Sequence, residues 1–127
     1  MSMPEASVLI VDDDPVVRRM LQLSFESEGF DVLTAGDGIE GLESMRAKKP
    51  DVVVLDIMMP KLDGMKVMNE VNDDDDLRGM PVILLSAKAT SLDVELGLKA
   101  GAADYVTKPC DPIELVDRVR NLLAKTG

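Results

Sequence analysis

The sequence predicts an α/β fold in which a five-stranded parallel sheet is covered by helices on both faces. Three observations carry this expectation. Short apolar runs without polar alternation, above all Val52-Val53-Val54-Leu55, read as strands buried on both faces. Longer stretches with helical spacing and capping residues lie between these runs, so strand and helix alternate five times along 127 residues. Several runs also stop on a charged or hydroxyl residue, at the edge where open parallel sheets hold their ligands.

Taken in order, Ser7 to Val11 is a first strand that runs into the acidic turn Asp12-Asp13-Asp14. Asp14 suits a helix N-cap and Pro15 the first helical position. Val16, Val17, Met20, Leu21, Leu23 and Phe25 then supply a broad apolar stripe to about Glu28, where Gly29 stops the helix. Asp31 to Ala35 is a second strand and Gly36-Asp37-Gly38 a turn. The next helix turns Leu42 and Met45 inward and ends before Pro50. The third strand ends on Asp56, and Pro60 turns the chain out of the sheet. Lys61-Leu62-Asp63-Gly64 reads as a loop and Met65 to Val71 as a short helix.

Asn72 to Asp76 is a run of polar charge without the spaced ligands, central Gly and terminal Glu of a calcium loop, so it reads as solvated surface. Pro81 to Leu85 is the fourth strand and leads to Ser86-Ala87-Lys88. Ser91 to Lys99 is a helix closed by Gly101, and Asp104 to Thr107 is a brief fifth strand before Lys108-Pro109. Asp111 caps a last helix that faces Leu115, Val116, Val119, Leu122 and Leu123 to the core.

Composition removes several functions. Net charge is −10 and the pI about 4.3, the wrong sign for unaided binding of nucleic acid. One Tyr, two Phe and no Trp leave no platform for stacking bases or an isoalloxazine ring. Histidine is absent, which removes His-based metal sites and Ser-His-Asp triads from this chain. Cys110 is the single cysteine, so no internal disulfide forms and a reducing compartment is expected. The uncharged runs are far shorter than a ~20-residue membrane span, and Met1 to Glu5 lacks the parts of a signal peptide. Together these point to the cytoplasm.

The chemistry-bearing residues gather at one edge. Asp12 and Asp13 follow the first strand, Asp56 ends the third, Ser86 follows the fourth and Lys108 the fifth. Taken singly, each has an ordinary structural role: a helix cap, a turn residue, a surface lysine. Together they form a constellation. Three converging carboxylates repel one another unless a cation joins them. An oxygen-only donor set points to a hard divalent ion, Mg²⁺. Such a site suits phosphoryl transfer, with Asp56 as the attacking carboxylate and Ser86 and Lys108 binding the transferred oxygens.

Val8-Leu9-Ile10-Val11-Asp12-Asp13-Asp14, Asp56-Ile57-Met58-Met59-Pro60 with Asp63-Gly64, Val82-Ile83-Leu84-Leu85-Ser86-Ala87, and Gly101-Ala102-Ala103-Asp104-Tyr105-Val106-Thr107-Lys108-Pro109 occur in this order. In these motifs, over essentially its full length, the chain resembles the receiver domain of two-component response regulators. The resemblance implies a three-layer, flavodoxin-like (βα)5 fold with strand order 2-1-3-4-5, as one domain with a core of about residues 6–125. An output domain, in a protein that has one, would follow beyond residue 127.

The resemblance also implies that Asp56 accepts a phosphoryl group from a phosphohistidine on a sensor histidine kinase or phosphotransfer protein. Asp13, Asp56 and the Met58 carbonyl would ligate Mg²⁺, with Asp12 acting through water and Lys108 pairing with Asp56 or the phosphoryl group. Ser86 would move to bond the phosphoryl group, and Tyr105 would turn inward with it, altering the face made by the fourth helix, fifth strand and fifth helix. Pro109 matches a proline that the family often holds in cis. The implied protein is a monomer or a phosphorylation-dependent dimer that turns over only its own phosphorylation and slow dephosphorylation.

Met58 and Lys88 occupy two positions that influence acyl-phosphate hydrolysis in this family, and neither is a base at neutral pH, so slow self-dephosphorylation is expected. Cys110 stands where many relatives carry Phe and reads as a small buried thiol rather than a redox sensor. Val94 and Ala103 fall where dimerising relatives carry charges, although Asp93, Asp104, Glu114 and Arg118 are present. Two other functions stay open at this level. An aspartyl phosphatase would want an acid at Met58 and a cap for which no residues are spare. A docking module that has lost its chemistry would be expected to lack some of Asp12, Asp13, Asp56, Ser86 and Lys108.

Overall fold

In the computed structural model, which describes residues 5–59, 62–88 and 90–126, five strands alternate with five helices. The elements are β1 (Ser7–Val11), α1 (Pro15–Ser27), β2 (Asp31–Ala35), α2 (Gly38–Lys48), β3 (Val52–Asp56), α3 (Gly64–Asp73), β4 (Val82–Ser86), α4 (Ser91–Lys99), β5 (Asp104–Thr107) and α5 (Pro112–Thr126). All strand pairs are parallel, in the order β2-β1-β3-β4-β5. This is the parallel α/β sheet that the residue pattern predicts, in the flavodoxin-like (βα)5 order that the family resemblance implies. Met1 to Pro4, Pro60 and Lys61, and with them the expected turn at Pro60, lie outside the described residues.

The period of two along each strand divides the interior into two layers. Val8, Ile10, Val52, Val54, Ile83 and Leu85 pack with Leu21 and Phe25 of α1 and Leu115, Val116 and Val119 of α5. Leu9, Val11, Val53, Leu55, Val82 and Leu84 pack on the other face with Leu42 and Met45 of α2 and Val67, Met68 and Val71 of α3. β3 and β4 are buried along their whole length, as continuous apolar runs require.

Helix starts follow their capping residues. Asp14 accepts from the N–H groups of Val16 and Val17, and Asp37 and Asp63 accept from those of Glu40 and Lys66. Thr90 and Asp93 form a reciprocal capping box at α4. The Asp111 carboxylate accepts from Ile113 N–H at the start of α5. Gly29 and Gly101 take positive φ after α1 and α4.

Three expectations change. The apolar stripe of α1 is narrower than expected, because an α-helix brings only Val17, Leu21 and Phe25 onto one line and Val16, Met20 and Leu23 fall on its flanks, exposed. α3 continues to Asp73, so Asn72 and Asp73 are helical and the surface turn starts at Asp74, which pairs with Arg46. β4 begins at Val82 rather than Pro81, whose carbonyl nonetheless accepts from Val53 N–H.

Candidate functional site at the carboxyl edge of the sheet

Register places the site. Val11 pairs with Leu55, so the next residues, Asp12 and Asp56, stand side by side on adjacent central strands. Ser86 pairs with Thr107 on the other side, and Lys108 follows immediately, its N–H donating to the Ser86 carbonyl at 2.8 Å. Asp12, Asp56 and Ser86 are the buried polar residues among those described.

The Lys108 ammonium lies between two carboxylates, 2.9 Å from Asp12 Oδ2 and 3.3 Å from Asp56 Oδ2. The other oxygens are also engaged. Asp12 Oδ1 accepts from Asp14 N–H at 2.9 Å, and Asp56 Oδ1 from Met58 N–H at 3.1 Å. Burial first, and the neighbouring Asp12 second, raise the Asp56 carboxyl to about 6, against the opposing effect of Lys108 and the Met58 N–H. Burial alone would lower Lys108; Asp12 and Asp56 outweigh it and hold the ammonium above its ordinary value.

Asp13 is exposed beside this pair. Asp12, Asp13 and Asp56 each offer a carboxylate oxygen within 4.8 Å of the others. A hard divalent cation fits this donor set: three oxygens, excess negative charge and a single lysine to offset it. Gly64 makes the close approach of α3 to this edge feasible. A Cβ there would stand 2.7 Å from Ile57 Cα and 2.8 Å from the Asp56 carbonyl oxygen.

A second chain of contacts leads away from the site. Ser86 Oγ is fully buried and accepts from Lys88 N–H at 3.0 Å, and the Lys88 carbonyl accepts from the Tyr105 hydroxyl at 2.7 Å. The peptide segment at Lys88 thus joins Ser86 to Tyr105 with no direct contact needed between them. The Tyr105 ring already lies inward, 9% exposed, against α4. Its place depends on Gly97, where a Cβ would stand 2.8 Å from Tyr105 Cδ2.

The structure therefore brings Asp12, Asp13, Asp56 and Lys108 together, with Ser86 and Tyr105 on the Lys88 path. Met58 and Lys88 are exposed and border one open groove with Asp63. The Lys108–Pro109 peptide is cis. Cys110 is half-buried, and burial raises its thiol above the ordinary value, consistent with the inert reading. Two contributors were not anticipated. Arg18 Nη1 donates to the Asp12 carbonyl at 2.8 Å, and Gly97 receives the Tyr105 ring. A basic residue on the first turns of α1, at the end nearest the acids, was the available signal for Arg18; a lone Gly inside a helix was the signal for Gly97.

Comparison with known proteins agrees with this geometry. The family model described as "Response regulator receiver domain" matches residues 8–120. The transcriptional regulatory protein CseB of Streptomyces coelicolor is 49% identical over 123 residues, which cover 97% of this chain and 51% of that protein. The DNA-binding response regulator MtrA of Mycolicibacterium smegmatis is 44% identical over 118 residues, covering 93% and 50%. The chain spans about half the length of these curated relatives. Among solved structures, the receiver domain of Francisella response regulator 1452 superimposes with a TM-score of 0.92 at 36% identity, over 97% of this chain and 100% of that one. The chemotaxis protein CheY4 of Vibrio cholerae gives 0.86 at 27% identity, over 94% and 98%. A buried acid pair bridged by lysine, on a sheet of this order and with these matches, places the chain in the family of response regulator receiver domains of two-component systems.

Proposed function

We propose that this receiver domain accepts a phosphoryl group on Asp56 from the phosphohistidine of a sensor histidine kinase or a phosphotransfer protein. The observation that carries the reading is the Asp56 carboxylate, buried at the carboxyl edge of the sheet beside Asp12 and paired with Lys108. An Asp56 oxygen attacks phosphorus, the new O–P bond forms as the N–P bond breaks, and the imidazole leaves with a proton. Lys108, on the same edge, is placed to offset charge on the transferred oxygens, and the Ser86 hydroxyl, whose oxygen accepts from Lys88 N–H, would donate its own proton to them.

Asp13, Asp56 and the Met58 carbonyl would hold Mg²⁺, with Asp12 acting through water. When bound, Mg²⁺ neutralises charge at the attacking and transferred oxygens. The added charge of roughly −1.5 to −2 at Asp56 then draws Ser86 toward it and, through the Lys88 peptide, biases the Tyr105 position and the face formed by α4, β5 and α5. That face would make the protein a monomer that dimerises, or engages its output, on phosphorylation.

Residues of about 6–125 would form the receiver of a cytoplasmic regulator. No described helix is long and apolar enough to cross a membrane. The relatives named as transcriptional or DNA-binding regulators support an output domain following the receiver in the whole protein. The phosphatase and docking-module readings gain no support: Met58 is exposed and no acid replaces it, while all five expected site residues are present.

Incubation with acetyl phosphate, followed by intact-mass spectrometry, tests the reading. One phosphoryl group should be gained with Mg²⁺ and none with EDTA. Absence of any adduct in a protein shown to bind Mg²⁺ would favour the docking module, and rapid release of inorganic phosphate without an adduct would favour the phosphatase.

A further inference from the structure

We propose that Arg18 is a positioning residue for the metal-binding acids, acting through the peptide that carries Asp13. The inference rests on the Mg²⁺ reading above. Asp12 is held at four points: its N–H donates to the Ala35 carbonyl at 3.2 Å, its two carboxylate oxygens accept from Asp14 N–H and Lys108, and its carbonyl accepts from Arg18. Asp13 differs. It is exposed, and its carboxylate has no hydrogen-bond partner among the described residues. Where its oxygens stand relative to Asp12 and Asp56 therefore depends on the backbone that delivers it, and the carbonyl of the 12–13 peptide is the acceptor that Arg18 holds at 2.8 Å.

The arrangement is built from both sides. Arg18 N–H donates to the Asp14 carbonyl, fixing the residue in the first turn of α1. Its half-buried side chain then reaches back over Gly36, where a Cβ would stand 3.4 Å from Nη1. A charged donor makes a stronger hydrogen bond to a carbonyl than a neutral one. Groups that orient a ligand residue without touching the metal commonly change metal affinity or activity by roughly 10- to 100-fold when removed.

Two effects of removing Arg18 oppose each other, and this makes the proposal testable. A bystander cation near a Mg²⁺ site lowers affinity by Coulomb repulsion, so its removal would tighten binding. A positioning residue does the reverse. Isothermal titration of MgCl₂ into the wild type, Arg18→Met and Arg18→Lys separates the two, with melts in EDTA to show that each is folded. Met keeps the apolar stem, and Lys keeps the charge.

We expect Arg18→Met to weaken Mg²⁺ about tenfold and Arg18→Lys to recover most of the loss. In acetyl-phosphate reactions the Mg²⁺ midpoint of Arg18→Met should rise while the rate at saturating Mg²⁺ stays at the wild-type value. Unchanged or tighter Mg²⁺ binding by Arg18→Met would overturn the proposal, as would a lower saturating rate with an unmoved midpoint. A wild type that binds no Mg²⁺ would overturn the metal reading itself, a failure distinct from that of Arg18.

Discussion

Asp56 is a carboxylate held where its charge is disfavoured. Its folded pKa, about 6, lies above the ordinary 3.8, so between those values the folded state binds more protons than the unfolded chain. The burden on stability is therefore absent below pH 4, grows as pH rises toward 6 and is complete above it. In metal-free protein at pH 7.5, Asp56→Asn should raise unfolding stability by about 3 kcal/mol, and the gap should shrink at pH 5. Urea denaturation in EDTA at the two pH values measures this; a variant no more stable than the wild type at pH 7.5 would contradict it. Met58 and Lys88, exposed at the mouth of the site, offer no hydrogen-bond acceptor of the kind that would take a proton from an attacking water. The phosphorylated protein should decay over minutes or longer, and Met58→Asn, whose amide can orient water, should shorten that time. A wild-type half-life of seconds, followed by intact mass, would contradict the assignment.

Among the elements, α1 differs from the reading of its apolar pattern, and α4 carries a glycine on which the Tyr105 ring depends. On α1, Leu21 is fully buried and Leu23 is 49% exposed, although they are two residues apart. Leu21→Ala should cost about 3 kcal/mol and Leu23→Ala no more than about 0.5 kcal/mol, compared by chemical denaturation. Equal effects would mean that the helix presents a different face. On α4, Gly97→Ala should gain about 1 kcal/mol of helix propensity while denying Tyr105 its inward place. Tyr105 is the single tyrosine in a chain without tryptophan, so tyrosine fluorescence reads this ring alone. Acrylamide should quench it more in Gly97→Ala than in wild type; equal quenching would show that the ring does not need the space. Strand ends and helix caps were legible because each depends on neighbours in sequence, as at Asp14 and Asp56. The flanks of α1 were not, because Val16, Met20 and Leu23 are as apolar as the residues they accompany and only tertiary packing separates them.

At the scale of the whole molecule, the candidate site exists only because topology gathers it. Its acids come from β1 and β3, its lysine from the end of β5 and its hydroxyl from β4, residues far apart in the chain that the parallel order places on one edge. The residue types and their strand-end positions were legible in the sequence. The Arg18 bond to the Asp12 carbonyl and the path from Ser86 through Lys88 to Tyr105 were not, since each depends on side-chain reach and peptide orientation in the folded state. The central claim is that this assembly directs phosphoryl transfer to one carboxylate out of three. Borohydride trapping tests it most directly, because reduction of an acyl phosphate converts the modified aspartate to homoserine, which peptide sequencing by mass then locates. After treatment with acetyl phosphate and Mg²⁺, homoserine should appear at position 56 alone and be absent from Asp56→Asn. Homoserine at position 12 or 13 in the wild type, or phosphate stable to borohydride on Ser86, would contradict the account.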